Sequence, residues 1–378
     1  MESAEQQSRG SEEIPSEAAS LRKSLRPVLV VSERNVVEHT TFVRHLLVGL
    51  VDESIPVTLI GPPGCDLEPI VPAPAALFIH PPVDLPLMEH VGLERLAAQL
   101  EKIKPTVLHC LCETRAALTR RLARRLDIPY VLTVNSLVKR RHRLSPSPRR
   151  CASIVVPSEA IGSGVIKALP SFSDRIRHIN IGTFVENDTI CFSDLSRLPS
   201  IIVARGLHRV ADFEHLLQAA RSLQAEGREF MLAIMGSGPA EHRLRRLLMT
   251  LGLTDTVTIV PILDPWRAVL AAGDIFVQPR PLEAFSVFLL EAMAAGTAVA
   301  ACWGGVDDLI VPNQTAVIFE PDSEPSIRQA LKQLLDGHDF ARRLATTAQE
   351  HIRARHSVSE MIAATLTVYA EAQRQCKH

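Results

Sequence analysis

The chain has 378 residues, 46% of them hydrophobic and 22% charged, with a formal net charge of −1 at pH 7. This balance gives no overall field that would attract a polyanion, and an aromatic content of 4% argues against a base-stacking surface for nucleic acid. The seven cysteines lack paired CxxC spacing, as expected of free thiols in a reducing cytosol, and no apolar run is long enough to span a membrane.

Strands and helices alternate along the chain from about Pro27, a pattern that predicts parallel α/β sheets. The polar segment 1–26 has no apolar signal core, so we expect it to be a disordered tail. In the first half, short apolar runs predict strands at 28–31, 57–60, 76–79, 106–110, 130–134, 153–157 and 177–181. Helical spacing predicts helices at 42–51, 93–103, 115–126 and 159–168.

The alternation is lost between 185 and 199, which indicates a linker, and then starts again. In the second half the predicted strands are 201–204, 229–235, 257–260, 274–278, 298–302 and 316–319. The predicted helices are 212–226, 241–251, 265–272, 285–295, 323–335, 339–355 and 358–373. The chain is therefore expected to have five parts, with bounds at 1–26, 27–184, 185–199, 200–356 and 357–378.

The stretch from Asp274 to Asp308 carries the strongest indication of function. It predicts a strand, a short polar loop, an apolar helix that stops at Gly296, a second strand and a Gly-Gly loop. The loop after the first strand and the start of the helix face the same crevice, where free N–H groups and the helix dipole favour an anion. Glu283 in the loop and Glu291 in the helix flank this anion site. Since carboxylates accept hydrogen bonds from hydroxyls and amides donate them to phosphate, the combination fits a sugar joined to a phosphate.

The segment EAFSVFLLE, from Glu283 to Glu291, is followed by AMAAGTAVA and by a Gly-Gly pair. It resembles the Glu–seven residues–Glu signature of retaining glycosyltransferases of the GT-B fold, in particular the family 4-like, group 1 enzymes. The resemblance implies an α/β fold with two Rossmann-like domains facing an interdomain cleft. It also implies that 27–184 is the acceptor-side domain, that 200–356 binds a nucleotide sugar, and that a helix within 357–378 crosses back onto the first domain.

From the family pattern, the loop and helix of this segment would hold the donor. Glu283 would lie near the transferred sugar and act in catalysis, while Glu291 would bind the ribose hydroxyls. The backbone amides that would hold the diphosphate are those of Ala284, Phe285, Ser286 and Val287. Ser286 stands where the family usually carries Gly, but it can still offer its N–H and cap the helix.

Two further elements of the second half resemble the donor side of the family. The segment IIVARGL, 201–207, resembles the opening of the donor domain, and Arg205 matches an Arg that holds the diphosphate. The Lys expected about five residues later is missing. Arg209 is the nearest cation, and it could take the place of the Lys or be a solvated loop charge. In LAIMGSGP, Gly236 and Gly238 would let a nucleotide approach the backbone, although a plain turn explains the same pattern.

The first half matches the family less closely. His109 ends a strand in the manner of an Asp-x-x-His element and is a candidate catalytic residue, or a structural hydrogen-bonding group. Asn135 stands where the family carries a His, and the segment from Ser32 to Glu38 lacks the glycines of the family's first loop. Retention in the family is usually assigned to a same-face displacement in which the leaving diphosphate takes the acceptor proton, so no strong protein base is required.

Basic residues form two groups in the first half: Arg120, Arg121, Arg124 and Arg125 on one helix face, then Lys139, Arg140, Arg141, Arg143, Arg149 and Arg150 in a Pro/Ser loop. In similar enzymes the first domain often touches an anionic membrane that carries a lipid-linked acceptor. Two interpretations therefore stay open: peripheral contact with the inner face of a membrane, or a solvated basic face.

Together these features predict a cytoplasmic, retaining, hexosyltransferase-type enzyme. It would move a sugar from a nucleotide-diphosphate sugar to a hydroxyl acceptor in polysaccharide or glycolipid assembly, with no cofactor, metal or nucleic acid. The alternative is a catalytically weak glycosyltransferase-like partner or scaffold, which the missing Lys, Asn135 and the glycine-free first loop favour. An epimerase of sugar nucleotides is a third hypothesis, whereas a dehydrogenase is disfavoured because no GxGxxG follows a predicted strand.

Overall fold

The structure, a computed structural model, describes residues 24–65, 67–79, 86–138, 144–262 and 266–375. The chain divides into two compact units. The first comprises Met1–Asn180 with Val358–His378, and the second comprises Ile181–Ser357.

The end of the predicted tail takes part in the packing. Residues 1–23 lie outside the described part of the chain. Leu25 is fully buried, and the amide of Arg26 donates a hydrogen bond of 2.8 Å to Thr106 Oγ1. The packed chain therefore begins ahead of the first strand, because Leu25 adds apolar area to the core.

The first unit contains the strands β1 (Pro27–Val30), β2 (Thr58–Gly61), β3 (Ala76–Ile79), β4 (Val107–Cys110), β5 (Tyr130–Thr133), β6 (Cys151–Val156) and β7 (Ile176–His178). They form one parallel sheet in the order β3-β2-β1-β4-β5-β6-β7. The helices between them are α1 (Glu33–Glu38), α2 (Thr40–Asp52), α3 (Pro86–Ile103), α4 (Ala116–Leu126) and α5 (Glu159–Ala168). The central strands are buried along their whole length, as expected for a sheet covered on both faces.

The second unit contains the strands β8 (Ser200–Ala204), β9 (Met231–Met235), β10 (Val257–Val260), β11 (Ile275–Gln278), β12 (Ala298–Cys302) and β13 (Val317–Phe319). They form a parallel sheet in the order β10-β9-β8-β11-β12-β13. The helices are α6 (Glu214–Ala225), α7 (Glu241–Leu251), α8 (Trp266–Ala271), α9 (Val287–Ala294), α10 (Glu324–Asp336) and α11 (His338–Arg355). Both units are thus Rossmann-like, with alternating strands and helices on a parallel sheet.

The last helix, α12 (Val358–Gln375), belongs to the first unit although it follows the second in sequence. It packs against α2 and against β4, β5 and β6. Its buried side includes Met361, Leu366 and Tyr369, so its apolar residues complete the core of the first unit. Among the helices that the structure describes, none combines the length and the hydropathy needed to cross a membrane.

In each sheet the order in which successive strands are added changes direction once. In the first sheet the order reverses between β1 and β4, and in the second it reverses between β8 and β11. At such a point the crossovers on either side leave in opposite directions, so a crevice opens outside the carboxyl ends of the two strands. The residues that follow these four strands are therefore the first place to look for a site.

The segment predicted as a linker, 185–199, has no named helix or strand, but it is packed into the second unit. Cys191 and Phe192 are buried in its core. The amide of Phe192 donates a hydrogen bond of 2.7 Å to Asp274 Oδ1, and that of Cys191 donates to the carbonyl of Gly296. These two apolar residues have neither helical nor strand spacing, so the sequence pattern did not predict their burial.

Candidate functional site

Helix α9 is the centre of the predicted anion site. All eight of its residues are buried, which explains its apolar sequence. Ser286 caps it, because its Oγ accepts a hydrogen bond of 3.1 Å from the amide of Leu289. The helix therefore begins at Val287, two residues after the predicted start at 285. It ends before Gly296, whose φ of +80° is the left-handed conformation predicted there.

Glu291 is the buried carboxylate of this helix, with 1% of its surface exposed. Its Oε1 accepts a hydrogen bond of 2.6 Å from the Thr183 hydroxyl. Its Oε2 lies 3.4 Å from Arg267 Nη1, but within the described residues no group donates a hydrogen bond to it. Burial raises the pKa of Glu291 to about 7, while Thr183 and Arg267 act in the opposite direction. The carboxyl therefore changes its charge near neutral pH.

Arg267 connects this carboxyl to the start of the second unit. Besides its contact with Glu291, it donates a hydrogen bond to the carbonyl of Phe184 and lies 3.2 Å from Glu186 Oε1. Neither Thr183 nor Arg267 could be identified from the sequence, since neither belongs to a recognised motif. Their contacts come from residues distant in sequence and only the folded sheet places them beside Glu291.

Glu283 is exposed to solvent, in the loop between β11 and α9. The Gly-Gly loop after β12 packs on this loop: the amide of Val306 donates a hydrogen bond of 2.7 Å to the carbonyl of Leu282. Gly305 has a φ of +85°, and a Cβ there would lie 2.0 Å from the Leu282 carbonyl oxygen. The glycine pair therefore supports the backbone beside Glu283. The side chains of the neighbouring Ala284, Phe285 and Val287 are buried.

Two arginines meet at the switch point of the second sheet. Arg205 follows β8 and Arg280 follows β11, and Asp212 lies between them. Its Oδ2 is 3.5 Å from Arg205 Nη2, and its Oδ1 is 3.9 Å from Arg280 Nε. Arg280 also pairs with Asp322. Arg209 is exposed on the turn before Asp212, and its carbonyl accepts a hydrogen bond of 3.3 Å from the Asp212 amide. The second guanidinium beside the Asp212 carboxylate is that of Arg280, which the family pattern does not indicate.

Gly236 and Gly238 follow β9 and lie against the chain after β8. A Cβ on Gly236 would be 2.1 Å from the carbonyl oxygen of Arg205, and one on Gly238 would be 2.5 Å from that of Leu207. The amides of Arg205 and Leu207 in turn donate hydrogen bonds to Met235 and Ser237. The close approach of these two loops accounts for both glycines, and it fixes the backbone from which Arg205 extends.

His109 lies in the core of the first unit, with 3% of its surface exposed. Its Nδ1 is 2.6 Å from the Tyr369 hydroxyl, and its Nε2 is 2.7 Å from Thr133 Oγ1. Burial lowers its pKa to about 3, so the ring is neutral at physiological pH. With both ring nitrogens engaged by core side chains, the geometry fits a structural histidine. It does not fit a residue that exchanges a proton with a substrate.

The residues that follow β4 and β5 form a hydrogen-bonded cluster in which Glu113 supplies a carboxylate. It accepts a hydrogen bond of 3.3 Å from the amide of Asn135 and another from the Ser136 hydroxyl. The side-chain amides of Asn35 and Asn135 both donate to the carbonyl of Leu111, over 3.2 and 2.7 Å. Within the described residues Asn135 Oδ1 has no hydrogen-bond partner. Ser32 and Asn35 form a reciprocal cap that starts α1, so a helix stands where the family has its glycine-rich loop.

The basic groups of the first unit are partly neutralised. Arg125 lies 2.8 Å from both Glu94 and Glu101, and Arg150 pairs with Asp127. The basic residues Lys139, Arg140, Arg141 and Arg143 lie outside the described part of the chain. Peripheral membrane contact stays a prediction.

Two family models match the chain. A model described as glycosyl transferases group 1 matches residues 196–351, and one described as glycosyltransferase family 4 matches residues 39–184. The first match falls in the second unit, which carries Glu283 and Glu291. The second match covers most of the first unit and extends four residues into the second.

Curated relatives show the same relationship. The chain is 26% identical over 284 residues to the sulfoquinovosyl transferase SQD2 of Arabidopsis thaliana, a match over 68% of this chain and 55% of that protein. It is 27% identical over 250 residues to the 2-deoxystreptamine glucosyltransferase of Streptomyces kanamyceticus, over 64% of each protein. The chain thus spans between 55% and 64% of the length of these relatives.

A solved structure has the same fold. The Anabaena protein HepE, solved in complex with UDP and glucose, superposes with a TM-score of 0.75 at 14% identity, over 91% of this chain and 99% of that one. At this level of identity the superposition establishes the fold alone. Because the two family models cover most of both units, the chain belongs to the family 4-like, group 1 glycosyltransferases of the GT-B fold.

Proposed function

We propose that this protein transfers a sugar from a nucleotide-diphosphate sugar to a hydroxyl acceptor, with retention of the anomeric configuration, in glycolipid or polysaccharide assembly. The observation that carries the proposal is the buried carboxyl of Glu291. Glu291 occupies the position of the second Glu in the family signature, the residue that would bind the ribose hydroxyls of the donor. Within the described residues, its Oε2 also receives no hydrogen bond. A buried acceptor atom of this kind is costly unless a ligand hydroxyl satisfies it.

The diphosphate of the donor would lie above the loop that precedes α9. The first-turn amides of a helix lack partners within the helix and, together with its dipole, favour an anion. The family pattern assigns this role to the amides of residues 284–287, and Arg205 supplies a positive charge at the neighbouring strand end. HepE was solved with UDP and glucose, which supports a nucleotide-linked sugar as the donor.

The chemistry needs charge stabilisation more than a protein base. The bond between the anomeric carbon and the diphosphate oxygen breaks, and the acceptor oxygen bonds to that carbon on the same face. The acceptor proton passes to the leaving oxygen. Guanidinium and amide groups stabilise the negative charge that grows on the diphosphate. Glu283, exposed at the loop, would hold the transferred sugar, whereas His109 has a structural role.

Donor binding and turnover test the proposal in two steps. A panel of uridine, guanosine and adenosine diphosphate sugars is screened by thermal shift, and we expect one nucleotide to raise the unfolding temperature. Transfer to a hydroxyl acceptor is then followed by NMR, where the product should keep the anomeric configuration of the donor. We expect Glu283→Gln to abolish transfer and to leave the unfolding temperature of the ligand-free protein nearly unchanged.

Three results would contradict the proposal. Absence of a thermal shift with every donor would favour a partner or scaffold protein without catalysis. Formation of an epimer or of free sugar without an acceptor would indicate a different reaction on the same fold. An inverted product would remove the retaining mechanism while leaving the transferase activity.

A further inference from the structure

The charges at the switch point of the second sheet are unusual for a site that binds a diphosphate. Arg205 and Arg280 arise from the carboxyl ends of β8 and β11, which are neighbours in the sheet. Both guanidinium groups are mostly buried, with 27% and 24% of their side chains exposed. Asp212, with 12% of its side chain exposed, lies within 4 Å of both of them. A carboxylate thus stands between the two cations.

The contacts of Asp212 are those of an ion pair without hydrogen bonds. The distances of 3.5 Å to Arg205 and 3.9 Å to Arg280 exceed those of N–H···O hydrogen bonds. A phosphate can bind a guanidinium through two parallel hydrogen bonds of less than about 3 Å. The guanidinium groups would therefore interact more strongly with a phosphate than they do with Asp212.

Charge balance points in the same direction. Asp322 pairs with Arg280, so two aspartates face two arginines and their formal charges cancel. His215 lies 3.7 Å from Asp322 and adds a positive charge only when protonated. The family pattern has a Lys at this turn, but Val210 and Ala211 stand there instead. Within this group of four side chains, an incoming diphosphate therefore meets two carboxylates as well as two guanidinium groups.

We propose that the Asp212 carboxylate competes with the donor diphosphate for Arg205 and Arg280, and that the diphosphate binds by displacing it. This inference rests on the proposed function, since it assumes a diphosphate ligand. Arg280 takes the role of the missing Lys. Asp212 lowers the affinity for the diphosphate. It disfavours ligands with a single phosphate more strongly, because they form fewer hydrogen bonds with the arginines to replace the ion pairs of Asp212 that binding breaks. The protein thereby selects donors that carry two phosphates.

Calorimetric titration with inorganic pyrophosphate and with UDP tests the competition. We expect Asp212→Asn to tighten the binding of both about tenfold, equivalent to about 1.4 kcal/mol. Arg280→Gln should weaken both, and the gain from Asp212→Asn should be smaller in the double variant than in the wild type, because only the ion pair with Arg205 is then left to compete. Asp255→Asn is the matched control, since it removes the same charge from an exposed turn before β10, at the opposite end of the sheet. It should change neither affinity.

The outcomes separate this inference from the proposed function. Weaker or unchanged binding in Asp212→Asn, with an unfolding temperature like that of the wild type, would overturn the competition while donor turnover stands. An equal gain in affinity in Asp255→Asn would show that the effect comes from the net charge of the protein, and it would also overturn the competition. Binding that is detectable only in Asp212→Asn would support it. If neither protein binds pyrophosphate, UDP or any donor sugar, both the proposed function and this inference fail.

Discussion

Replacing Glu291 by Gln should make the second unit more stable at alkaline pH while weakening donor binding. Gln keeps an acceptor oxygen for the Thr183 hydroxyl, but it carries no charge. In the wild type the pKa rises from 4.5 to about 7 because the carboxyl is buried. The substitution therefore removes a group whose ionisation the fold opposes.

The sign and size follow from proton linkage. Between pH 4.5 and pH 7 the unfolded chain has released the proton of Glu291 while the folded unit still holds it. The unfolded state then binds fewer protons, so the free energy of unfolding falls as the pH rises. A pKa difference of this size corresponds to about 3 kcal/mol in the free energy of unfolding, and this contribution is lost by about pH 8. Glu291→Gln should match the wild type near pH 4.5 and exceed its stability by up to that amount at pH 8.

Urea denaturation of both proteins between pH 4.5 and pH 8 measures this difference. The two units can unfold in separate transitions, and we expect only that of the second unit to respond. Thr183→Val is the companion variant: it removes a hydrogen bond that lowers the pKa of Glu291, so its loss of stability with rising pH should be steeper. Parallel pH profiles for the wild type and Glu291→Gln would refute the argument, since they would mean that the carboxyl ionises without penalty.

Two further predictions concern the first unit. His109→Ala should lower the free energy of unfolding by about 2–4 kcal/mol, because it leaves a cavity and removes the partners of Tyr369 and Thr133. Turnover per folded molecule should stay within a few-fold of the wild type, and a loss of several orders of magnitude in turnover at full folding would restore a catalytic role. For membrane contact, we expect the protein to co-sediment with vesicles containing anionic lipid and not with neutral ones. Equal sedimentation with both would identify the basic residues as a solvated face.

The sequence was sufficient to predict the elements whose signals are local. The alternation of apolar runs and helical spacing predicted both sheets, and Gly296 marked the end of α9 through its left-handed conformation. The start of the same helix was placed two residues early, since the apolar Phe285 resembled a helical position. The cap formed by Ser286 was the better signal. The spacing of Ser32 and Asn35 fits a helix cap, and it is the local signal that indicates α1.

Contacts between distant parts of the chain were beyond the sequence pattern. Glu291 was recognisable as a carboxylate on an apolar helix, but its hydrogen bond to Thr183 joins residues separated by 108 positions. The same applies to Asp212, which no motif contains and which matters only because the two strand ends bring Arg205 and Arg280 together. For the glycines after β9 the sequence leaves open a nucleotide contact or a plain turn, and the structure shows that Gly236 lies against the backbone of Arg205 and Gly238 against that of Leu207.

The chemistry of the two switch points argues for different ligands in the two units. In the first, the carbonyl of Leu111 accepts from two side-chain amides, and the Glu113 carboxylate accepts from the amide of Asn135 and the Ser136 hydroxyl. Within the described residues, Asn135 Oδ1 has no hydrogen-bond partner and can accept from a ligand hydroxyl. In the second, two arginines and a carboxylate dominate. Acceptor oxygens such as Asn135 Oδ1 and the Glu113 carboxylate bind hydroxyl groups, whereas paired guanidinium groups bind phosphate. This difference in side-chain chemistry supports the prediction that the unit with Asn135 binds the acceptor and the unit with Arg205 binds the donor, and it does so without reference to the glutamate signature.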